Sequence, residues 1–500
     1  MKKRFWIMCC VMLVAVAGAV FAGCSNENSV ESLSRQVNSY TIDAELDYQN
    51  KTLSATMQVD YHNTSTVDFG ELKFHLYPNA FREDATVYRA VSEAQKNKVY
   101  PNGFSEGMIT VNSVAANGEN VDFQIGGEDK NLLIVPLNST LKSGDWVKLE
   151  MNFALVIPNC NHRFGYGANT LNLGNWYPIA CVFENGNFVT DGYSPNGDPF
   201  FSEVANYTVS IKYPEKLTLA SAGNFVDEDT QNGVKKSVYS GEIMRDFALV
   251  FSEKFEIISE TVDTKMVSYY YFDDKDAASN LAAAVDALRT FNEMFGEYPY
   301  DNLRVVKADF FQGGMEYPTI VYVSSDLDVD DEYKEAIIHE TAHQWWYGVV
   351  GNNECEYAWL DEGLAEYSTA IFYDKNSSYN KTSKRVLGET LSSYLLFCDV
   401  YRDVYDTLDT SMNRNIHKFS TETEYVYLTY VKGVLLFDSI NDIIGENKMF
   451  KSLRYFYSQN QFQIANPSDL IEAFESVAHR KLAGYIMSWL DGSVVLESFA

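Results

Sequence analysis

Over residues 40 to about 255, apolar and polar residues alternate in short runs. Tyr40-Thr41-Ile42-Asp43-Ala44-Glu45-Leu46 and Tyr207-Thr208-Val209-Ser210-Ile211-Lys212-Tyr213 send every second side chain to one face, the period of a half-buried strand. Clusters of Gly, Asn and Asp punctuate the runs, as turns require. Around residue 260 the pattern changes. The stretch 277–288, rich in Ala and Leu, is a strong helix former. Leu303-Arg304-Val305-Val306-Lys307-Ala308-Asp309-Phe310 then reads as a strand leading to Gly313-Gly314. Asp330-Asp331-Glu332 suits a helix N-terminus, and Ala336-Ile337-Ile338 leads that helix into the interior. Further helices are expected after Leu364, where neither Gly nor Pro interrupts the run to Tyr373, and over 469–478. The expected fold class is α+β and multidomain. An N-terminal β-sheet-rich domain over 39–258 precedes a mixed α/β domain over 259–500.

The second domain carries the chemistry. In His339-Glu340-Thr341-Ala342-His343, two His four residues apart share one face of a helix and can grip one metal ion. Glu340 stands beside the first of them, placed to act as general base toward a water at that metal. Glu362, in Ala358-Trp359-Leu360-Asp361-Glu362-Gly363, follows after eighteen intervening residues and supplies a third ligand. Two imidazoles and one carboxylate, with a fourth position open, is a catalytic rather than a structural zinc pattern. One Zn2+ per chain is expected. N and O donors also accept other divalent ions. Glu366 is either a partner for a ligand His or a surface acid.

These residues resemble the gluzincin aminopeptidases of the aminopeptidase N family, peptidase family M1. That family has HExxH, eighteen residues, and a ligand Glu in a WLNEG-like stretch; here Asp361 replaces the usual Asn. Its upstream GAMEN-type loop corresponds to Gly313-Gly314-Met315-Glu316-Tyr317, with Tyr317 in place of Asn. The resemblance implies that Glu316 binds the free α-amine of a peptide, with Gly313, Gly314 and Met315 beside it. The family's Y-E-K-G element corresponds to Tyr430-Val431-Lys432-Gly433, which implies that Tyr430 stabilises the oxyanion. Tyr425 and Tyr427 lie close enough to be confused with it. Phe74-His75-Leu76-Tyr77-Pro78-Asn79-Ala80 and the stretch 198–207 look like parts of the family's N-terminal β-domain. The resemblance further implies a thermolysin-like catalytic domain and hydrolysis of N-terminal residues from peptides. The glutamine-bearing stretch that some members of the family use as a second amine anchor is not found here; Asn175-Trp176-Tyr177-Pro178 occupies roughly that place. The family's further large helical domain finds no room in the seventy residues after Tyr430, so a more open cleft is expected. Two other readings stand beside the aminopeptidase: a zinc endopeptidase with an open cleft, and a non-catalytic binding protein on a peptidase fold.

The chain has 500 residues, enough for two or three domains, and a formal charge of −30. Nucleic-acid binding through a basic surface is thereby disfavoured. The excess acid means solubility or a preference for basic peptides. Lys2-Lys3-Arg4 and the apolar run over 5–22 form an export leader. Phe21-Ala22-Gly23-Cys24 resembles a bacterial lipobox. On that reading 1–23 is a signal peptide, Cys24 a lipidation site and 24–38 a polar tether to the membrane. Cleavage after Ala22, or an uncut anchor, are the alternatives, and all three put the enzyme outside the cytoplasm. His62, His75 and His162 are scattered and read as structural. A Cys160–Cys181 bridge is conceivable, as are buried free thiols.

Overall fold

The computed structural model describes residues 30–86, 90–405 and 408–496. The expected leader and Cys24 lie outside the described residues. Helix α1 (Val30–Ser34) docks on the body, where the Asn206 side-chain amide donates to the Ser34 carbonyl at 2.7 Å.

The alternating half forms sheets. An eight-stranded sheet runs in the order 224–231, 234–244, 205–214, 38–47, 52–62, 146–156, 108–116 and 119–120. Its strands pair antiparallel except 38–47 with 205–214, which run parallel. Buried and exposed residues alternate along these strands, so one face is apolar and one is wet. Two four-stranded sheets and a two-stranded one over 183–188 complete this part. Cys160, Cys181, Cys355 and Cys398 are buried free thiols, and no 160–181 bridge forms. His75 and His162 are buried among aromatic rings, and His62 stacks on Trp146.

The second part opens with a five-stranded sheet in the order 256–262, 265–271, 302–308, 320–324 and 314–315. Its central strands are buried on both faces. Leu303, Val305, Val321 and Val323 face the helices, whereas Val306, Ala308, Ile320 and Tyr322 join the core of the N-terminal sheets. This explains the continuous apolar run read from the sequence. The edge strand, Gly314–Met315, therefore sits at the junction of the two cores.

Helices follow: α2 (Lys96–Val99) lies in the N-terminal part, and α3 (Ala277–Phe295), α4 (Asp330–Ala342), α5 (Glu354–Lys375) and α6 (Ser383–Tyr405) cover the sheet. Helix α7 (Glu422–Val426) continues through a π-turn (Tyr427–Val431) into α8 (Lys432–Ile444), and α9 (Glu446–Asn460), α10 (Pro467–Ala478) and α11 (Ala483–Leu490) finish the bundle. Arg245 fastens the two parts. It donates to the carbonyls of Ser202 at 3.0 Å, Tyr347 at 2.8 Å and Gln463 at 2.6 Å.

Helices α5 and α8 touch backbone to backbone at Gly363 and Gly433. A Cβ on Gly433 would stand 2.9 Å from the Gly363 Cα, closer than side chains tolerate. Lys432 beside it is buried, its ammonium donating to the carbonyls of Thr410 at 2.6 Å and Trp489 at 2.9 Å. Glu362 and Tyr430 flank this crossing. Gly433→Ala should force the helices apart, cost about 1–3 kcal/mol and lower the midpoint of thermal unfolding. An unchanged midpoint, read by calorimetry, would show that the crossing has slack.

Candidate metal centre and active site

His339 and Glu340 occupy the last turn of α4, and His343 is its C-terminal cap. Helix α5 begins at the Asn353 cap, whose side chain accepts from the Cys355 amide at 3.1 Å, kinks at Tyr357, and brings Glu362 over α4. Three donor atoms then meet. His343 Nε2 lies 3.1 Å from His339 Nε2 and 3.2 Å from Glu362 Oε2, and His339 Nε2 lies 3.3 Å from the same oxygen. Donors at about 2.0–2.1 Å on a tetrahedral centre are spaced about 3.3 Å apart. The near-equilateral triangle fits one zinc ion and leaves one position open.

Outer partners hold the imidazoles in place. His343 Nδ1 faces the Trp346 carbonyl at 2.9 Å, which turns its Nε2 to the centre. Glu366 Oε1 stands 3.3 Å from His339 Nδ1, at ion-pair distance though outside hydrogen-bond geometry. Glu366 therefore stands where a partner for the ligand His339 would stand. The field at the centre favours positive charge. Burial works against protonating His343, yet the Glu362 carboxylate beside it moves the imidazole up to about 10. Burial likewise opposes ionising Glu362, and the two His hold it down to about 2.

Glu340 is buried, and its Oε2 has no partner. Burial raises its carboxyl to about 7, against the pull of the two His. A Cβ on Gly314 would overlap the Glu340 carboxylate, so only glycine fits there. Glu316 is 3 % exposed, and its Oε1 also lacks a partner. Burial first, then the Asp198 charge, pushes it well above the usual carboxyl range. Gln344 ties its loop to the zinc helix, accepting from the Thr319 amide at 2.8 Å and donating to the carbonyls of Glu316 and Tyr317 at 3.3 and 3.2 Å. Thr319 is held at φ +67°, a left-handed conformation unusual for a Thr.

Three expectations are sharpened. Tyr430 is the tyrosine at the centre: its hydroxyl donates to Glu362 Oε1 and it lines the cleft. Tyr427 instead bonds Ser393 at 2.9 Å and stacks on Phe397, and Tyr425 is buried behind Tyr430. Met315 does not face the cleft. Strand alternation turns its side chain into the core, where its sulfur meets Arg163 Nη1 at 3.2 Å. Asn175, Trp176 and Tyr177 do not reach the cleft either. Asn175 is occupied by the Tyr317 hydroxyl and Asp246, Trp176 donates to the Phe247 carbonyl, and Tyr177 donates to Asp246.

The structure adds residues that sequence reading missed. Asp198, from the N-terminal part, lines the cleft beside Glu316 and is paired with buried Arg163. Asp361 accepts from Asn352 at 2.9 Å, and burial raises it to about 8. Glu354 is 2 % exposed, with neither carboxyl oxygen partnered. The cleft itself encloses about 430 Å³. A larger polar cavity of about 620 Å³ adjoins Asp309 and contains none of the metal or catalytic candidates.

Residues 279–489 match the model of the Peptidase family M1 domain. The chain is 24% identical over 310 residues to "Aminopeptidase M1-A" of Oryza sativa subsp. japonica, covering 58% of this chain and 34% of that protein. It is 21% identical over 426 residues to "Aminopeptidase N" of Lactobacillus helveticus, covering 78% and 47%. The chain thus spans a third to a half of the length of these relatives. Its fold is that of the M1 zinc metallopeptidase of Deinococcus radiodurans, at TM-score 0.64 and 15% identity over 92% of this chain and 94% of that one. The 279–489 stretch matches an M1 peptidase domain, and the chain has the fold of an M1 zinc metallopeptidase, with the β-rich half preceding the half that carries His339, His343 and Glu362.

Glu366→Ala should leave the fold intact and weaken zinc binding about 10–100-fold. Competition against a coloured chelator reads this directly; an unchanged affinity would reduce Glu366 to a surface acid.

Proposed function

We propose that this chain, with its M1 peptidase domain over 279–489, is a zinc-dependent aminopeptidase that removes N-terminal residues from peptides. The observation that carries the reading is Glu316: a buried carboxyl with an unpartnered oxygen, within 4.8 Å of His343 and Asp361 donor atoms. A buried carboxylate is stable only beside a cation, and a peptide's α-ammonium supplies one. A tripeptide-bound form of the Deinococcus radiodurans relative, which shares the fold at TM-score 0.65, supports a peptide as the occupant.

Zinc held by His339, His343 and Glu362 would supply a Lewis acid that activates water and polarises the scissile carbonyl. Glu340 takes the proton of the attacking water and returns it to the leaving amine; a carboxyl near 7 suits both halves of that task. The Tyr430 hydroxyl donates where the carbonyl oxygen gains charge. Glu316 fixes the N-terminus so that only the first peptide bond reaches Glu340. Gly314 lets the backbone of the loop approach that bond. Export by the 1–23 leader, with Cys24 lipidated at a membrane surface, completes the proposal. It is supported by the basic, apolar and small-residue order of that segment.

The deciding test is turnover by zinc-loaded protein of matched peptides with free and acetylated N-termini. Cleavage of the free form alone, abolished by chelator and restored by zinc, is expected; equal cleavage of both would make this an endopeptidase. Glu340→Gln should retain zinc and lower kcat by about 10²–10⁴, and retained turnover would remove Glu340 as the base. Glu316→Ala should damage free-amine substrates far more than blocked ones.

A further inference from the structure

The cleft continues past the zinc triad along α4 and α5, and this extension is acidic. On α4, Glu332, Ala336 and Glu340 follow at i, i+4 and i+8, with Glu335 and His339 beside them. On α5, Glu362, Glu366 and Thr369 continue the opposite wall. Glu422 of α7 closes the cleft from the side, accepting from Ser92 at 3.1 Å and Gln95 at 3.2 Å. No Lys or Arg lines the cleft among the described residues. The cations that touch its lining are already engaged: Arg163 with Asp198, Lys98 with the Phe311 carbonyl and Asp326, and Lys381 with Glu335 at 2.7 Å, while Lys334 on α4 pairs with Asp330 at 2.6 Å. Glu332 is exposed and has no ion-pair partner among the described residues.

The direction of a bound peptide follows from Glu316. Its carboxyl lies near His343, at the C-terminal end of α4. A peptide whose amine is held there and whose first bond lies over Glu340 must leave toward the N-terminal half of α4. Glu335 and Glu332 lie five and eight residues before Glu340, about 7 and 12 Å along the helix axis. An extended peptide advances about 3.3 Å per residue, so, counted from the first bond over Glu340, these acids stand opposite the fourth and fifth substrate residues.

We propose that this extension is a specificity groove for the leaving part of the substrate, and that it selects peptides with Lys or Arg at the fourth and fifth positions. Glu332 is its free charge, with Glu335 and Glu422 as supporting walls. The proposal rests on the aminopeptidase reading for the peptide's direction.

Its test needs no turnover. Zinc-loaded Glu340→Gln protein is titrated with Ala-Ala-Ala-Lys-Lys and with Ala-Ala-Ala-Glu-Glu. The cationic peptide should bind about tenfold more tightly at low salt, and the gap should shrink at about 0.5 M salt. Adding Glu332→Lys, an exposed substitution that leaves the fold undisturbed, should close most of the gap. A gap under about twofold, or one that Glu332→Lys leaves unchanged, overturns the groove. Failure of the free-against-acetylated assay would sink the aminopeptidase reading instead, so the two failures are distinguishable.

Discussion

The site is organised around one constraint: five buried carboxyl groups and a sixth, partly buried one, lie close together with few fixed cations to balance them. Asp198, Glu316, Glu340, Glu354, Asp361 and Glu362 feel one another's charge through a protein interior. Each desolvated carboxylate costs several kcal/mol unless it is paired or neutral. Arg163 answers Asp198, and the two His with their metal answer Glu362. Glu316 and Glu354 have no such partner, and burial drives both toward the neutral form. The result is a graded set. Glu362 is held charged, Glu340 sits near neutrality and Glu316 is left needing a cation, which on the proposed function serve metal binding, proton transfer and amine binding. Three roles come from one residue chemistry, set apart by surroundings.

The fold holds this arrangement by bringing backbones unusually close. Gly314 admits the Glu340 carboxylate, and Gly363 and Gly433 let α5 and α8 touch. The five-stranded sheet is buried on both faces, so its edge strand cannot drift from either core. Gln344, next to the second ligand His, clamps the Glu316 loop to α4 with three hydrogen bonds. Metal binding, proton transfer and amine binding are thus coupled through a single helix end. A shift of α4 would be felt by all three.

The local parts of this design were legible in the sequence. The His339–His343 spacing defines one helix face, and strand alternation in the first half follows from period two. Glu362 could be placed from its spacing after His343 and the Trp359–Gly363 stretch, although its helix kinks at Tyr357. Tyr430 could not be separated from Tyr425 and Tyr427 by spacing alone, because a π-turn over 427–431 alters the helical phase that decides which ring faces the zinc ligands. Met315 was assigned to the cleft with its neighbours, but it lies on a two-residue edge strand whose alternation sends it inward. Asp198, Arg163 and Glu354 left no signal. Asp198 lies more than a hundred residues before the zinc helix, and its role arises only when the N-terminal sheets pack against the Glu316 loop. A buried acid without a motif reads like any surface acid.

The buried acids and the groove acids can do different work because they occupy different dielectrics. Inside, a charge a few ångströms from Glu340 shifts its proton affinity strongly, since little water screens it. Glu332, exposed and about 12 Å along α4 from Glu340, is beyond a Debye length at physiological salt, about 8 Å. Its field reaches the general base only weakly. A cationic side chain passing directly over Glu332 feels it at contact distance. Substrate preference along the groove can therefore change through surface substitutions without retuning the chemistry at the metal. The buried set has no such freedom, because each of its carboxyls shifts the proton affinity of the others.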